Sequence, residues 1–363
     1  MISKHTIVPV DDNRLRSDTA SIFELPDGEL LITYHSYGPG EDGSGDFGKA
    51  RVYLMRSSDR GVTWHDERLI ADIEPGDLNV MSPYLCLYQD EVLLGYVRNH
   101  SMSDTSMVLL RSSDGGQTFS DPVYIWNHCG EYRLQGGASS LVLLSDGRLL
   151  FPYQSVPEVW VPGENEYVGS YVSDDGGRSW SDSTNKVYLP MRGAMEPSAA
   201  ELSDGTIVMS LRTQLGSVFL TRSTDRGVSW ELAQTSGLPS PESCTCLRRI
   251  PNSDDHLVLF WNDAEYIPDH HHYGIRTPLS AAISVDGGES FQKQGDIDSG
   301  DLMLTNLGCT FLASGEAIVT YLSGNEPEVK GGVYAGPAPE REGGTLRFEL
   351  RCAIIDREWF AVE

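Results

Sequence analysis

The feature that most constrains this chain is a short motif that returns five times, Ser-x-Asp-x-Gly-x-x-aromatic. It runs from Ser57 to Trp64 and recurs at Ser112 to Phe119, Ser173 to Trp180, Ser223 to Trp230 and Ser284 to Phe291. Successive copies start 50 to 61 residues apart. Self-similarity at such a period points to an architecture assembled from equivalent units. The chemistry of the motif is that of a turn. Serine and aspartate side chains hydrogen-bond the backbone amides of a hairpin loop, glycine supplies a positive φ, and the aromatic ring folds back between strands. Asp59, Asp114, Asp175, Asp225 and Asp286 therefore read as structural residues and not as catalytic acids.

A second pattern alternates with the first: an apolar strand, a tight turn, then another apolar strand. Clear copies surround Asp27-Gly28, Asp146-Gly147 and Asp204-Gly205, and weaker ones surround Gln89-Asp90, Asp254-Asp255 and Ser314-Gly315. Six hairpins and five motif turns in 363 residues give six units of about 60 residues, each of four antiparallel strands. Radial repetition of such units predicts an all-β, six-bladed β-propeller, expected to form one domain over residues 1–363. No segment has convincing helical periodicity, which disfavours βαβ folds. The sixth unit lacks the motif. Its third strand is expected within Thr345–Ile355 and its outer strand within His5–Val10, which would close the ring. The stretch from Gly324 to Gly344, rich in Gly, Pro and Glu, reads as an exposed insertion.

Charge narrows the partners. With 53 acidic and 27 basic side chains the net charge is -26, which argues against a nucleic-acid backbone or an anionic membrane surface as partner. No apolar run approaches the ~18 residues of a membrane helix, and Met1 to Asp12 lacks the apolar core of a signal peptide. The expected location is cytoplasmic. The six cysteines are scattered, and Cys244-Thr-Cys246 is too short for a Cys-x-x-Cys pair, so they read as buried free thiols.

Taken together, the motifs and their spacing resemble the sialidase (neuraminidase) superfamily, whose repeats are called BNR repeats or Asp-boxes. The likeness covers nearly the whole chain. It implies an exo-acting glycoside hydrolase without metal or cofactor, whose partner is a carbohydrate. In that family a glutamate lies five residues before the turn glutamate, and an arginine lies sixteen residues after that first glutamate; Glu196, Glu201 and Arg212 match both spacings. The resemblance makes Glu196 the base and Arg212 a ligand for a substrate carboxylate. Arg276, which precedes the strand leading into the fifth motif, is similar to the family's next carboxylate-binding arginine. Counting back from Ser57 places Asp46 where the family has its acid/base aspartate, with Asp42 as the fallback.

The pattern is broken in two places. The family's first-unit arginine falls on Asp18, with Arg16 two residues earlier on the same strand face. The family's tyrosine nucleophile falls on Asn306, and Tyr273 and Tyr321 are the nearest tyrosines in the chain. Without the tyrosine, Glu196 is left to activate water directly, or the sugar is not a sialic acid, or catalysis is lost and the pocket only binds. The expected substrate is a terminal sialic-acid-like or other acidic sugar, with a neutral sugar left open because fewer arginines would suffice for it. A non-catalytic carbohydrate-binding propeller is the alternative. The run His270-His271-His272 reads as a loop that is solvated or faces substrate, because adjacent histidines diverge too far to share a metal. Trp160 reads as a loop anchor or a sugar-stacking ring, and Tyr132-Arg133-Leu-Gln135 as a cavity wall or an exposed loop.

Overall fold

A computed structural model describes residues 1–39, 43–135, 141–268, 270, 272–300, 303–324 and 346–361. Six antiparallel sheets form the blades of a propeller. Blade 1 consists of Arg16–Glu24, Leu30–Tyr37, Ala50–Ser57 and His65–Ala71, from the inner strand outward. Blade 2 consists of Asn79–Tyr88, Glu91–Ser101, Asp104–Ser112 and Val123–Trp126. Blade 3 orders Tyr132–Gln135, Leu149–Val156, Tyr167–Ser173 and Ser181–Asp182, with short additions at Val142–Leu143 and Val187–Tyr188. Blade 4 is Met195–Glu201, Ile207–Arg212, Ser217–Ser223 and Gln234–Pro239. Blade 5 is Cys246–Arg249, Leu257–Asn262, Leu279–Ser284 and Gln292–Asp298. Blade 6 is Met303–Phe311, Ala317–Gly324 and Glu349–Ile355, completed on its outer edge by Ile2–Val8.

That last strand closes the ring as expected. Ile2 faces Ile355 and Thr6 faces Arg351 in antiparallel register. The expected closing strand is displaced toward the N-terminus, and most of the expected insertion lies outside the described residues.

The motif turns join third to outer strands in blades 1 to 5, and their hydrogen bonds repeat. In the first, Gly61 N–H donates to Ser57 Oγ at 2.9 Å, Ser57 Oγ donates to Asp59 Oδ1 at 2.8 Å, and Thr63 N–H donates to the same carboxylate at 2.9 Å. These bonds and the Thr63 hydroxyl lower the exposed Asp59 carboxyl to about 2. Gly61 has φ 85°, a value glycine takes without a Cβ penalty. Arginines just ahead of the motifs tie blades together: Arg56 donates to Gly115 O at 2.6 Å and Arg222 to Gly287 O at 2.9 Å, each in the following blade's turn.

The core lies between blades. Six apolar clusters each span two neighbours, such as Leu31, Leu54, Leu94 and Val108 between blades 1 and 2, and Phe260, Ala281, Val319 and Ala353 between blades 5 and 6. Alternate strand residues point to opposite blade faces, so each blade feeds two clusters and the apolar burial runs around the ring. That leaves the inner strand ends to carry polar side chains.

Candidate functional site

The inner strands of blades 1, 2, 4 and 6 each lose register near their start. The breaks fall between Asp18 and Ser21, Met81 and Tyr84, Met195 and Ser198, and Thr305 and Gly308. Within each break one residue other than glycine has a positive φ: Thr19 at 41°, Ser82 at 52°, Glu196 at 40° and Asn306 at 57°. A bulge inserts a residue without a ladder partner and re-aims its side chain. The left-handed conformation costs about 1–3 kcal/mol for such residues and survives where the surroundings hold it. The same distortion in four blades, at equivalent places, marks this end of the ring as the candidate site.

Blades 1 and 6 form one polar network there. Arg16 donates to Asp18 Oδ2 at 2.6 Å, to Asp46 Oδ1 at 2.9 Å and to Ser44 O at 3.2 Å, and its guanidinium lies 4.8 Å from the centre of the Tyr37 ring. Asp18 Oδ1 accepts from Asn306 Nδ2 at 2.7 Å and from Thr19 N–H at 2.7 Å. Burial opposes ionisation of Asp18, but Arg16, His35 and Asn306 outweigh it and hold the carboxyl below its usual range. His35 Nδ1 accepts from Ser82 N–H at 3.3 Å, and burial lowers its imidazole to about 4, so it is neutral at pH 7.

Blades 3 to 5 form a second network around Glu242, a residue that sequence reasoning missed. Glu242 Oε1 accepts from Arg192 at 2.7 Å and from Arg212 at 3.0 Å, while Oε2 accepts from Gln214 at 3.1 Å. Its backbone oxygen accepts two bonds from Arg276, at 2.7 and 3.1 Å. Burial pushes the Glu242 carboxyl up, and Arg212 and Arg192 reverse this, holding it well below the usual range. Arg192 also pairs with Glu166 at 2.8 Å. Burial raises Glu166, and Arg192 and Arg212 oppose that only in part. Glu196 Oε1 lies 3.0 Å from Arg212, and the Glu196 amide donates to Gln154 Oε1 at 2.6 Å.

Cys244 joins the two networks. Its sulfur accepts from Asn306 N–H at 3.0 Å, and burial, reinforced by the charge of Glu196, raises the thiol to about 11. No disulfide joins any of the six cysteines, as the sequence predicted, and five of them are buried. Asp18, Asp46, Asn306 and Arg16 thus come together on one side, and Glu196, Arg212 and Arg276 on the other. Asp42 lies outside the described residues.

Solvent reaches the five carboxylates unequally. The Asp46 side chain is 42% exposed and that of Glu196 25%, against 0% for Asp18, 3% for Glu166 and 5% for Glu242. The first two are reachable from solvent; the other three are buried against arginines. Tyr321 donates its hydroxyl to Asp298 at 2.8 Å and Tyr273 stacks on Tyr266, so both side chains have other partners. Trp160 carries the Arg192 guanidinium 4.4 Å from its ring centre, and Tyr132 is buried beside Phe47. His272 Nδ1 lies 3.0 Å from Arg276, while His271 is outside the described residues. Among the described residues no group of three or more His, Cys, Asp or Glu side chains is arranged to hold a metal ion.

A family model described as a BNR repeat-like domain matches residues 83–333. The chain belongs to the BNR repeat-like family. A curated relative, a protein named "Sialidase" from Bacteroides fragilis (strain YCH46), is 27% identical over 274 residues, covering 67% of this BNR-repeat chain and 48% of that protein. The chain therefore spans about half the length of the curated relative it matches. Among solved structures, a protein of unknown function from Dyadobacter fermentans superposes with a TM-score of 0.70 at 16% identity, covering 98% of this chain and 99% of that one. A Trypanosoma rangeli sialidase in complex with the inhibitor DANA gives 0.68 at 12% identity, with 97% and 59% covered. A Hadza microbial sialidase gives 0.69 at 20% identity, with 88% and 66% covered. These likenesses place the BNR-repeat ring in the sialidase-type propeller fold.

Proposed function

We propose that the protein is an exo-acting glycoside hydrolase that removes a terminal sugar from a glycan or oligosaccharide, with Asp46 as general acid and Glu196 as general base. The observation that carries this reading is the contrast among the five carboxylates. Two are open to solvent and three are buried against arginines, and the exposed pair are the residues that the resemblance assigns to proton transfer. Asp46 donates a proton to the departing glycosidic oxygen. Glu196 removes a proton from a water molecule that attacks the anomeric carbon. Asn306 is not a nucleophile, so displacement is direct and the product has inverted configuration. Arg212 pairs with Glu196 at 3.0 Å and orients its carboxylate.

The experiment is a panel of aryl glycosides, including sialosides, uronides and neutral glycosides, with product stereochemistry read by NMR. Turnover with inversion supports the assignment. Retention would mean that another side chain attacks the sugar. One observation favours a second reading, that of a binding propeller without turnover: Arg16 engages Asp46 directly, so that carboxyl group already has a partner inside the protein. Saturable sugar binding with no hydrolysis across the panel would establish that reading.

A further inference from the structure

We propose that this pocket selects an uncharged sugar over its carboxylated counterpart. The sugar itself rests on the glycosidase reading above; the charge preference rests on how the arginines are paired. Counting arginines alone favours an acidic sugar, and the pairing reverses that expectation.

To clamp a carboxylate, a guanidinium must offer an open fork of N–H donors. Arg16 faces Asp18 and Asp46, at 2.6 and 2.9 Å. The two terminal nitrogens of Arg212 face Glu196 and Glu242, both at 3.0 Å. Arg192 faces Glu166 and Glu242, at 2.8 and 2.7 Å. Arg276 directs two nitrogens at the Glu242 carbonyl oxygen. Across the two networks, four arginines stand against five carboxylates. An incoming carboxylate would have to displace an internal acid from its arginine. It would also come to rest beside the carboxyl groups of Asp46 and Glu196, where no guanidinium is left open to it.

A hydroxyl has no such conflict. Glu196 Oε2 and Arg212 Nε are both buried and have no hydrogen-bond partner among the described residues. The first needs a donor and the second an acceptor. A sugar hydroxyl is donor and acceptor together, whereas a carboxylate only accepts. A polyol can therefore meet the exposed parts of Asp46 and Glu196 without displacing an internal acid from its arginine.

The test uses the full chain and matched probes that differ only in charge: glucose against glucuronate, galactose against galacturonate, and the methyl ester of N-acetylneuraminic acid against the free acid. Binding is read by saturation-transfer NMR and calorimetry. The expected result is at least about tenfold tighter binding of the uncharged member, equivalent to about 1.4 kcal/mol. Equal or tighter binding of the charged member overturns the proposal. A second measurement uses Glu242→Gln, which removes one of the two acids that face each of Arg192 and Arg212. Affinity for the charged member should rise about tenfold while the uncharged member changes less than about twofold; no rise overturns it. Turnover is scored separately on the corresponding aryl glycosides. A charge preference without turnover removes the hydrolase reading and supports the selectivity.

Discussion

Glu196 meets Arg212 through one carboxylate oxygen only, 3.0 Å from the guanidinium, and its other oxygen has no hydrogen-bond partner among the described residues. The acid is held at one end, and that second oxygen is buried. A backbone with φ 40° keeps it there, and the Gln154 side chain accepts from its amide. Glu196→Gln keeps the shape and removes the basicity. On the substrate that the panel identifies, kcat should fall about 10²–10⁴-fold with little change in KM. Steady-state kinetics on a variant with a wild-type thermal midpoint decides this, and undiminished kcat would remove Glu196 from the reaction.

Asp46 is expected to act on the leaving group. Asp46→Asn should therefore slow glycosides with poor leaving groups, such as alkyl or sugar aglycones, far more than nitrophenyl glycosides that depart without a proton. The loss should be about 10²-fold or more for the former and small for the latter. An equal loss for both classes would mean that Asp46 only shapes the pocket.

Gly193 lies next to Arg192 with φ 105°, and a Cβ there would stand 2.0 Å from the Glu166 carbonyl oxygen. The neighbour is backbone and cannot swing away. Gly193→Ala should destabilise the protein by about 2 kcal/mol or more. It should also disturb the Arg192 pairs with Glu166 and Glu242. Denaturant unfolding tests the first effect, and a stability within about 0.5 kcal/mol of wild type would contradict it.

How much of this was legible in the sequence follows from how local each feature is. The five turns were readable because Ser, Asp and Gly satisfy one another within a few residues, as Ser57, Asp59 and Gly61 do. Glu196 and Arg212 were readable because they share one hairpin. The rest of the site was not. Glu242 gathers arginines from positions 192, 212 and 276, and nothing near Glu242 in the chain announces that role. The pairing of Arg16 with Asp18 could be anticipated only as a shared strand face. The bulges place a threonine, Thr19, and an asparagine, Asn306, at positive φ, so no glycine flagged them. Arg192, four residues ahead of Glu196 and followed by glycine, was the one available hint.

His35 gives the protein a dependence on mild acid. Burial depresses its folded value to about 4, against about 6.5 in an unfolded chain. A histidine depressed in this way contributes stability that is fully present above pH 6.5 and declines as pH falls toward 4. The decline should reach on the order of 3 kcal/mol by pH 4. Thermal melts across that window should show a falling midpoint, and His35→Gln should flatten the curve. A wild-type midpoint that stays constant from pH 6.5 to 4.5 would rule His35 out as the cause.

The pairing of Ile2–Val8 with Glu349–Ile355 also sets when the molecule can be finished. The first strand of the chain has its partner beyond all the other blades, so it leaves the ribosome long before that partner exists. Local hairpins can form one after another during synthesis, but this contact must bridge almost the entire sequence and carries the largest loop-closure penalty in the molecule. Until the final blade is made, the first strand and the apolar face that blade 1 shares with blade 6 stay uncovered. Folding is therefore completed in a late step, after which the ring has no open end from which to unravel.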